Sequence, residues 1–117
     1  MAIMRQGQHE NVNYETPYLD AAVAVFALLA SPVRVKIVLA LQDGEMSGGL
    51  LADIADLSLE QVSGELVALE SVGIIACQQE GRRDFYRLAN EHAGALASNA
   101  IFHAQDRDGI HDLGRIR

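Results

Sequence analysis

Residues 47–88 read SGGLLADIADLSLEQVSGELVALESVGIIACQQEGRRDFYRL, and the order of signals inside that stretch decides the fold. Ser47–Asp56 reads as a short helix, Leu57-Ser58 as a tight turn and Leu59–Val72 as a second helix. The second helix has a defined start: Ser58 can cap it, and Gln61, three residues on, completes an S-x-x-Q capping box. Leu59, Val62, Leu66, Leu69 and Val72 recur at helical spacing and predict one buried stripe. Gly73 stands just past the end, where a left-handed residue closes a helix. Ile74, Ile75 and Cys77, a polar tip over Gln78–Asp84 with Gly81 at its turn, and Phe85, Tyr86 and Leu88 then read as a β-hairpin. Helix, turn, helix and hairpin in this order predict a winged helix-turn-helix: mainly α with one β-hairpin. The second helix of such a fold enters a DNA major groove.

Charge pulls the other way. The predicted exposed face of that helix carries Glu60, Gln61, Ser63, Gly64, Glu65 and Glu70. Between Ile37 and Gly81 there is no Lys or Arg, against Asp43, Glu45, Asp53, Asp56, Glu60, Glu65, Glu70 and Glu80. The chain has a formal net charge of −7, and nucleic-acid binders more often present a basic surface. The basic cluster is Arg82, Arg83 and Arg87 on the wing, placed to grip phosphates or a minor groove, with Arg34 and Lys36 further back. The candidate DNA contacts are therefore Gln61, Ser63, Gly64 and Glu65 on the reading helix and Arg82, Arg83 and Arg87 on the wing.

The 117 residues suit one domain, read as an arm over 1–15, a winged-helix domain over 16–106 and a polar tail over 107–117. His9 in the arm reads as solvated, and the polar tail holds His111. Thr16 and Pro17 open a helix that runs to Ala30 and is apolar on every side, which asks for burial on every side. Ser31-Pro32 starts the next helix, with Val35, Ile37, Val38 and Leu39 as inward candidates and Asp43-Gly44 as its end. Glu45-Met46 reads as linker, and Ser47 caps a helix that buries Leu50, Leu51, Ile54 and Ala55. Asn90 is the expected cap of a last helix over Asn90–Asp106, where Ala93, Leu96, Ala97, Ala100 and Ile101 permit close helix contact. The first and last helices, Pro17–Ala30 and Asn90–Asp106, are the expected homodimer surface. The single cysteine, Cys77, excludes a disulfide within one chain and reads as a small buried hydrophobe. The longest apolar run, Ala21–Ala30, falls short of the roughly 20 residues a bilayer needs, so no membrane partner is expected and the expected location is cytoplasmic.

Taken together, these residues resemble the ArsR/SmtB family of winged-helix metal-sensing repressors, over about Ala27 to Asp106. The resemblance rests on Leu28-Leu29-Ala30-Ser31-Pro32-x-Arg34, on Val62-Ser63-x-x-Leu66-x-x-Leu69 followed by Gly73-Ile74-Ile75, and on Glu80-Gly81-Arg82-Arg83-Asp84-Phe85-Tyr86-Arg87-Leu88. It implies a homodimer built on the first and last helices, operator DNA as partner, and repression relieved by metal. The chain departs from the family pattern on the reading helix and in the sensor positions of the third and last helices. Glu65 stands where members usually carry a histidine or another DNA-friendly residue. Gly48-Gly49-Leu50-Leu51 stands where some carry a cysteine pair. On the last helix, members that sense zinc, nickel or cobalt show Asp-x-His, ten residues, then His-x-x-His or His-x-x-Glu. This chain shows Asn90-x-His92, Ala93–Phe102, then His103-x-x-Asp106. The implied ligand set is His92, His103 and Asp106 with Asn90, and imidazole with carboxylate suits Zn, Ni or Co.

Two readings stay open at this level. One is a DNA-binding transcriptional repressor, dimeric and metal-responsive. The other is a winged-helix dimer that has lost autonomous DNA binding and acts through a protein partner by way of its acidic helix. An enzyme is not expected, because no nucleophile–base pairing, phosphate loop or carboxylate dyad stands out.

Overall fold

A computed structural model describes residues 12–116, with side chains described as far as Gly109. His9 and most of the expected arm lie outside the described residues, as does the His111 side chain. Among the described residues, five helices and a three-stranded sheet follow in chain order: α1 Leu19–Leu29, α2 Pro32–Leu41, β1 Met46–Ser47, α3 Gly48–Ala55, α4 Leu59–Ser71, β2 Ile75–Glu80, β3 Arg83–Leu88 and α5 His92–Ile116.

The local signals explain most of these ends. The Ser31 hydroxyl accepts from Arg34 N–H at the start of α2, with Pro32 in the first turn. Ser47 does the same for Leu50 N–H at the start of α3. At α4 the capping box is complete, with Gln61 N–H donating to the Ser58 hydroxyl and Ser58 N–H to Gln61 Oε1, each at 3.0 Å. Asp56 ends α3 in the left-handed conformation, φ 57°, which makes the sharp turn into α4. Gly73, at φ +77°, turns the chain from α4 into β2. α1 begins at Leu19, two residues beyond Pro17; the Thr16 hydroxyl instead accepts from Tyr18 N–H in the preceding turn. α5 runs to Ile116, well past the expected end at Asp106.

The hairpin is longer and its turn tighter than the sequence predicts, with Gly81-Arg82 alone linking β2 to β3. The expected linker is also part of the sheet. Met46 and Ser47 pair antiparallel with Tyr86 and Phe85, giving the strand order β1-β3-β2. The core gathers Ile37, Val38 and Leu41 from α2, Leu51 and Ala52 from α3, Val62, Leu66 and Leu69 from α4, Ile74 and Ile75, and Ala93 and Ala97 from α5. Leu59 and Val72, the two ends of the predicted α4 stripe, are exposed, as is Leu50 on α3. Cys77 is exposed too, because β2 leaves the core after Ala76.

α5 lies against α2 at short range. Gly94 supplies the clearance: an added Cβ there would fall 2.8 Å from Gln42 Nε2 and 3.1 Å from Leu88 Cδ1. The Ser98 hydroxyl bonds Gln42 Oε1 one turn further on, at 2.8 Å. α1 buries none of its residues within the chain, and Leu19, Val23 and Phe26 are each at least half exposed. A groove of about 210 Å³ opens between Phe26 and Leu29 on α1, Val35, and Leu96, Ala97, Ala100 and Ile101 on α5. No single helix among the described residues is long and apolar enough to cross a membrane.

Candidate nucleic-acid interface and metal-ligand face

The rotation of α4 decides what it presents. Val62, Leu66 and Leu69 are buried, which turns Glu60, Gly64, Val67 and Ser71 outward as the opposite line, with Ser63 exposed beside it. Glu65 is not on that line. It is partly buried, and its Oε1 accepts from Arg34 Nε at 2.7 Å. Arg34 also donates from Nη1 to the Leu28 carbonyl at 3.2 Å. One guanidinium thus ties the last turn of α1, the first turn of α2 and the middle of α4 together.

Two expected roles change as a result. Glu65 is drawn off the reading face by its ion pair, so it does not stand beside Glu60 as a second outward carboxylate. Arg34 is committed to Glu65 and Leu28 rather than free for a phosphate. Gln61 keeps its expected capping role through its side-chain oxygen, and the residue stays exposed. Of the four expected reading-helix contacts, Gln61, Ser63 and Gly64 are exposed and Glu65 is held by Arg34.

The wing stands beside this face. Arg82, Arg83 and Arg87 are all exposed, Arg82 in the turn and the other two on β3. Strand alternation puts Arg83 and Arg87 on one side of the hairpin with Phe85 between them. Arg87 Nη1 lies 3.4 Å from the Leu88 carbonyl, a long contact that leaves its other donors available. A groove of about 310 Å³ joins the parts: Gly48 and Gly49 from α3, Leu59 and Ser63 from α4, and Arg83, Asp84 and Tyr86 from β3 line it. Tyr86 forms part of its wall. Its hydroxyl pKa is pushed up to about 12, first by burial, then by the Cys77 thiol opposite it and by Asp84 and Glu70 nearby. The phenol is therefore neutral at physiological pH.

The metal candidates lie on the start and outer face of α5. His92, His103 and Asp106 are all exposed. Eleven residues separate the histidines, about 16 Å along the axis on nearly the same side, so one ion cannot take both from one protomer. His103 and Asp106 sit at i, i+3 and can serve one ion together. Asn90 Oδ1 is engaged, accepting His92 N–H at 2.8 Å at the helix start. Among the described residues, no three His, Cys, Asp or Glu side chains converge on one point. Within one protomer these candidate donors stand in two separate groups rather than one cluster.

Sequence reasoning missed the Arg34–Glu65 pair. The signal it offered was that Glu65 lies one turn before buried Leu69, on the flank of the apolar stripe. It also missed Val67, which falls on the outward line and is 66% exposed.

The three-helix head, the capped second helix and the wing over a shared groove define a winged helix-turn-helix domain. No family model matches the chain. The repressor SmtB of Mycobacterium tuberculosis is 35% identical over 86 residues, which is 74% of this chain and 64% of that protein. The chain thus spans just under two thirds of that relative's length. The biofilm growth-associated repressor of Agrobacterium fabrum is 35% identical over 82 residues, covering 68% of this chain and 70% of that protein. A solved homodimeric winged helix-turn-helix DNA-binding domain from Mycobacterium bovis, described as a possible ArsR-family transcriptional regulator, superposes with a TM-score of 0.73 at 28% identity. It covers 83% of this chain and 90% of that one. The chain belongs to the ArsR/SmtB family of winged helix-turn-helix transcriptional regulators.

Proposed function

We propose that this chain is a homodimeric, DNA-binding transcriptional repressor whose operator affinity responds to a divalent metal. One observation carries the DNA reading: Ser63 of the reading helix and Arg83 of the wing border the same groove, so one surface offers a helix for the major groove and cations for the flanking phosphates. The Arg34–Glu65 pair supports it further, because it takes a carboxylate off the face that must approach DNA. The relatives named as repressors support the same reading.

The dimer rests on α1, which has no fully buried residue and meets its own core only through Val25, Leu28 and Leu29, and on the apolar groove between α1 and α5. A second copy covers both. Two copies of α5 running antiparallel would bring His92 of one protomer toward His103 and Asp106 of its partner. Three such donors suit Zn, Ni or Co, and a bound ion supplies a cross-link between the two long helices. His103 and Asp106 are the pair free to ligate. Asn90 is a weak candidate because its oxygen already serves the helix start.

The test is a mobility-shift and anisotropy series on the chain's own promoter region, from low to physiological salt, with zinc, nickel or cobalt and with chelator. The expected result is a shifted dimer complex that metal weakens. No shift of any genomic fragment in either form would refute repression by direct binding. Titration calorimetry isolates the metal half of the proposal: tight binding should vanish in His92→Ala and in His103→Ala. Equal affinity in wild type and the double variant removes the proposed site.

A further inference from the structure

The outward line of α4 is Glu60, Gly64, Val67 and Ser71, and its middle is small and apolar. Between Glu60 at its start and Ser71 at its end no long hydrogen-bonding side chain stands on this line; Gln61 lies off it with its oxygen in the capping box, and Glu65 is held by Arg34. Gly64 has no reason inside the protein to be glycine. Its backbone is helical, it is not among the glycines of positive φ, and an added Cβ would meet no protein atom within 4 Å. A glycine that neither a turn nor a neighbour requires points to close approach of something outside the chain. One turn along, Val67 exposes a branched apolar side chain at 66% of its surface, on a line that is otherwise Glu, Gly and Ser.

From this juxtaposition we infer that Gly64 and Val67 determine operator specificity, with Gly64 letting the α4 backbone sit deep in the major groove and Val67 packing on the C5-methyl group of a thymine. The inference rests on the DNA-binding reading above. Thymine is the base that presents a methyl in the major groove, and apolar side chains read it by contact. Serines at 63 and 71 bond either a donor or an acceptor, so they add register without choosing a base. The expected operator therefore carries a thymine at a fixed position in each half-site and owes less to guanine contacts from long basic side chains.

The full chain is used to select binders from a random-sequence duplex library at moderate salt, and the enriched duplex is then remade with deoxyuridine in place of each thymine in turn. That substitution removes one methyl and leaves the protein untouched. The wild type should lose about fourfold in affinity per half-site at one thymine position, the worth of one buried methyl-sized group. Val67→Gln should bind the thymine and uracil duplexes alike. Gly64→Ala should melt at a higher temperature than wild type yet bind the selected duplex more weakly, two effects a merely structural glycine would not combine. An enriched duplex indifferent to uracil at every position overturns the role of Val67. Unchanged affinity in Gly64→Ala overturns the close approach. If no duplex is enriched at all, the regulator reading itself fails, and this inference fails with it.

Discussion

The Arg34–Glu65 pair gives the most direct test of how α4 is oriented. The contact is 2.7 Å with side chains 28% and 30% exposed, so the pair is neither dry nor fully solvated. Exposed ion pairs contribute about 0.2–1 kcal/mol, and charge-assisted hydrogen bonds run about twice as strong as neutral ones. The expected coupling is therefore about 1 kcal/mol. Glu65→Ala should destabilise by about 1 kcal/mol, since Arg34 keeps its bond to the Leu28 carbonyl and reaches water. Arg34→Ala should cost more, about 2 kcal/mol, because it removes both bonds and leaves a half-buried carboxylate unpaired. Urea unfolding of the two single variants and the double variant, at one fixed protein concentration, closes the cycle. Independent sites add to within about 0.3–0.5 kcal/mol, so a coupling inside that margin would refute the tie. A second readout is functional. Glu60→Gln should raise non-specific DNA affinity by removing an outward charge, while Arg34→Gln with Glu65→Gln, which removes a neutral pair, should change it little. Equal gains from the two would mean that Glu65 faces the groove after all.

Other consequences follow from the same geometry. Phe26→Glu should shift the chain toward monomer in sedimentation equilibrium by about 2 kcal/mol or more, on the order of the cost of burying an unpaired polar group, and two-fold symmetry counts the change twice. Arg82→Ala with Arg83→Ala should remove most DNA binding. It should also lower the slope of log affinity against log salt by about 0.9 for each phosphate left without its cation, about 3.6 for a dimer if each arginine neutralises one. In a chain whose other tyrosines, Tyr14 and Tyr18, are replaced by phenylalanine, phenolate absorbance should report Tyr86 titrating near 12 instead of 10. Because the folded value lies above the unfolded one, Tyr86 contributes to stability below pH 10 and loses that contribution as pH rises toward 12, which a melting series above about pH 9 would show.

The fold was legible where chemistry is local. The Ser58/Gln61 box, the Ser31-Pro32 start and Gly73 each mark an element through atoms a few residues apart, and each appears as read. The two-residue strand at Met46 was not legible, because two residues carry no periodicity and their partner lies 40 residues on, at Tyr86. The ends of the α4 stripe misled for a related reason. Leu59 and Val72 have apolar side chains, but they lie beyond the elements that cover its middle. The candidate site was half legible. Ser63, Gly64 and the wing arginines sit where the helix-turn-helix pattern puts them. Glu65 and Arg34 do not, because composition counts a charge without its partner. The Arg34–Glu65 contact joins residues 31 apart.

That distinction between counted and unpaired charge bears on how an acidic chain meets DNA. The net charge of −7 belongs to the whole chain, whereas a docked complex feels mostly charges within a Debye length, about 8 Å at physiological salt. At that range Glu60 on the reading face and Asp84 in the groove wall stand against the arginines of the wing, with Glu65 neutralised by Arg34. At about 0.01 M salt the Debye length is about 30 Å, and the carboxylates of the whole domain then repel the approaching duplex. Dilution should therefore help this protein less than it helps a basic regulator. The local arginine contacts strengthen as salt falls, through counterion release, while the long-range field of the chain grows against them. The association rate is where the opposition shows, since steering depends on the field before contact. Stopped-flow measurements should give an on-rate nearly flat from about 0.15 M down to about 0.01 M salt, where a positively steered partner would speed up steeply. A steep rise would mean that the wing dominates the far field as well as the contact.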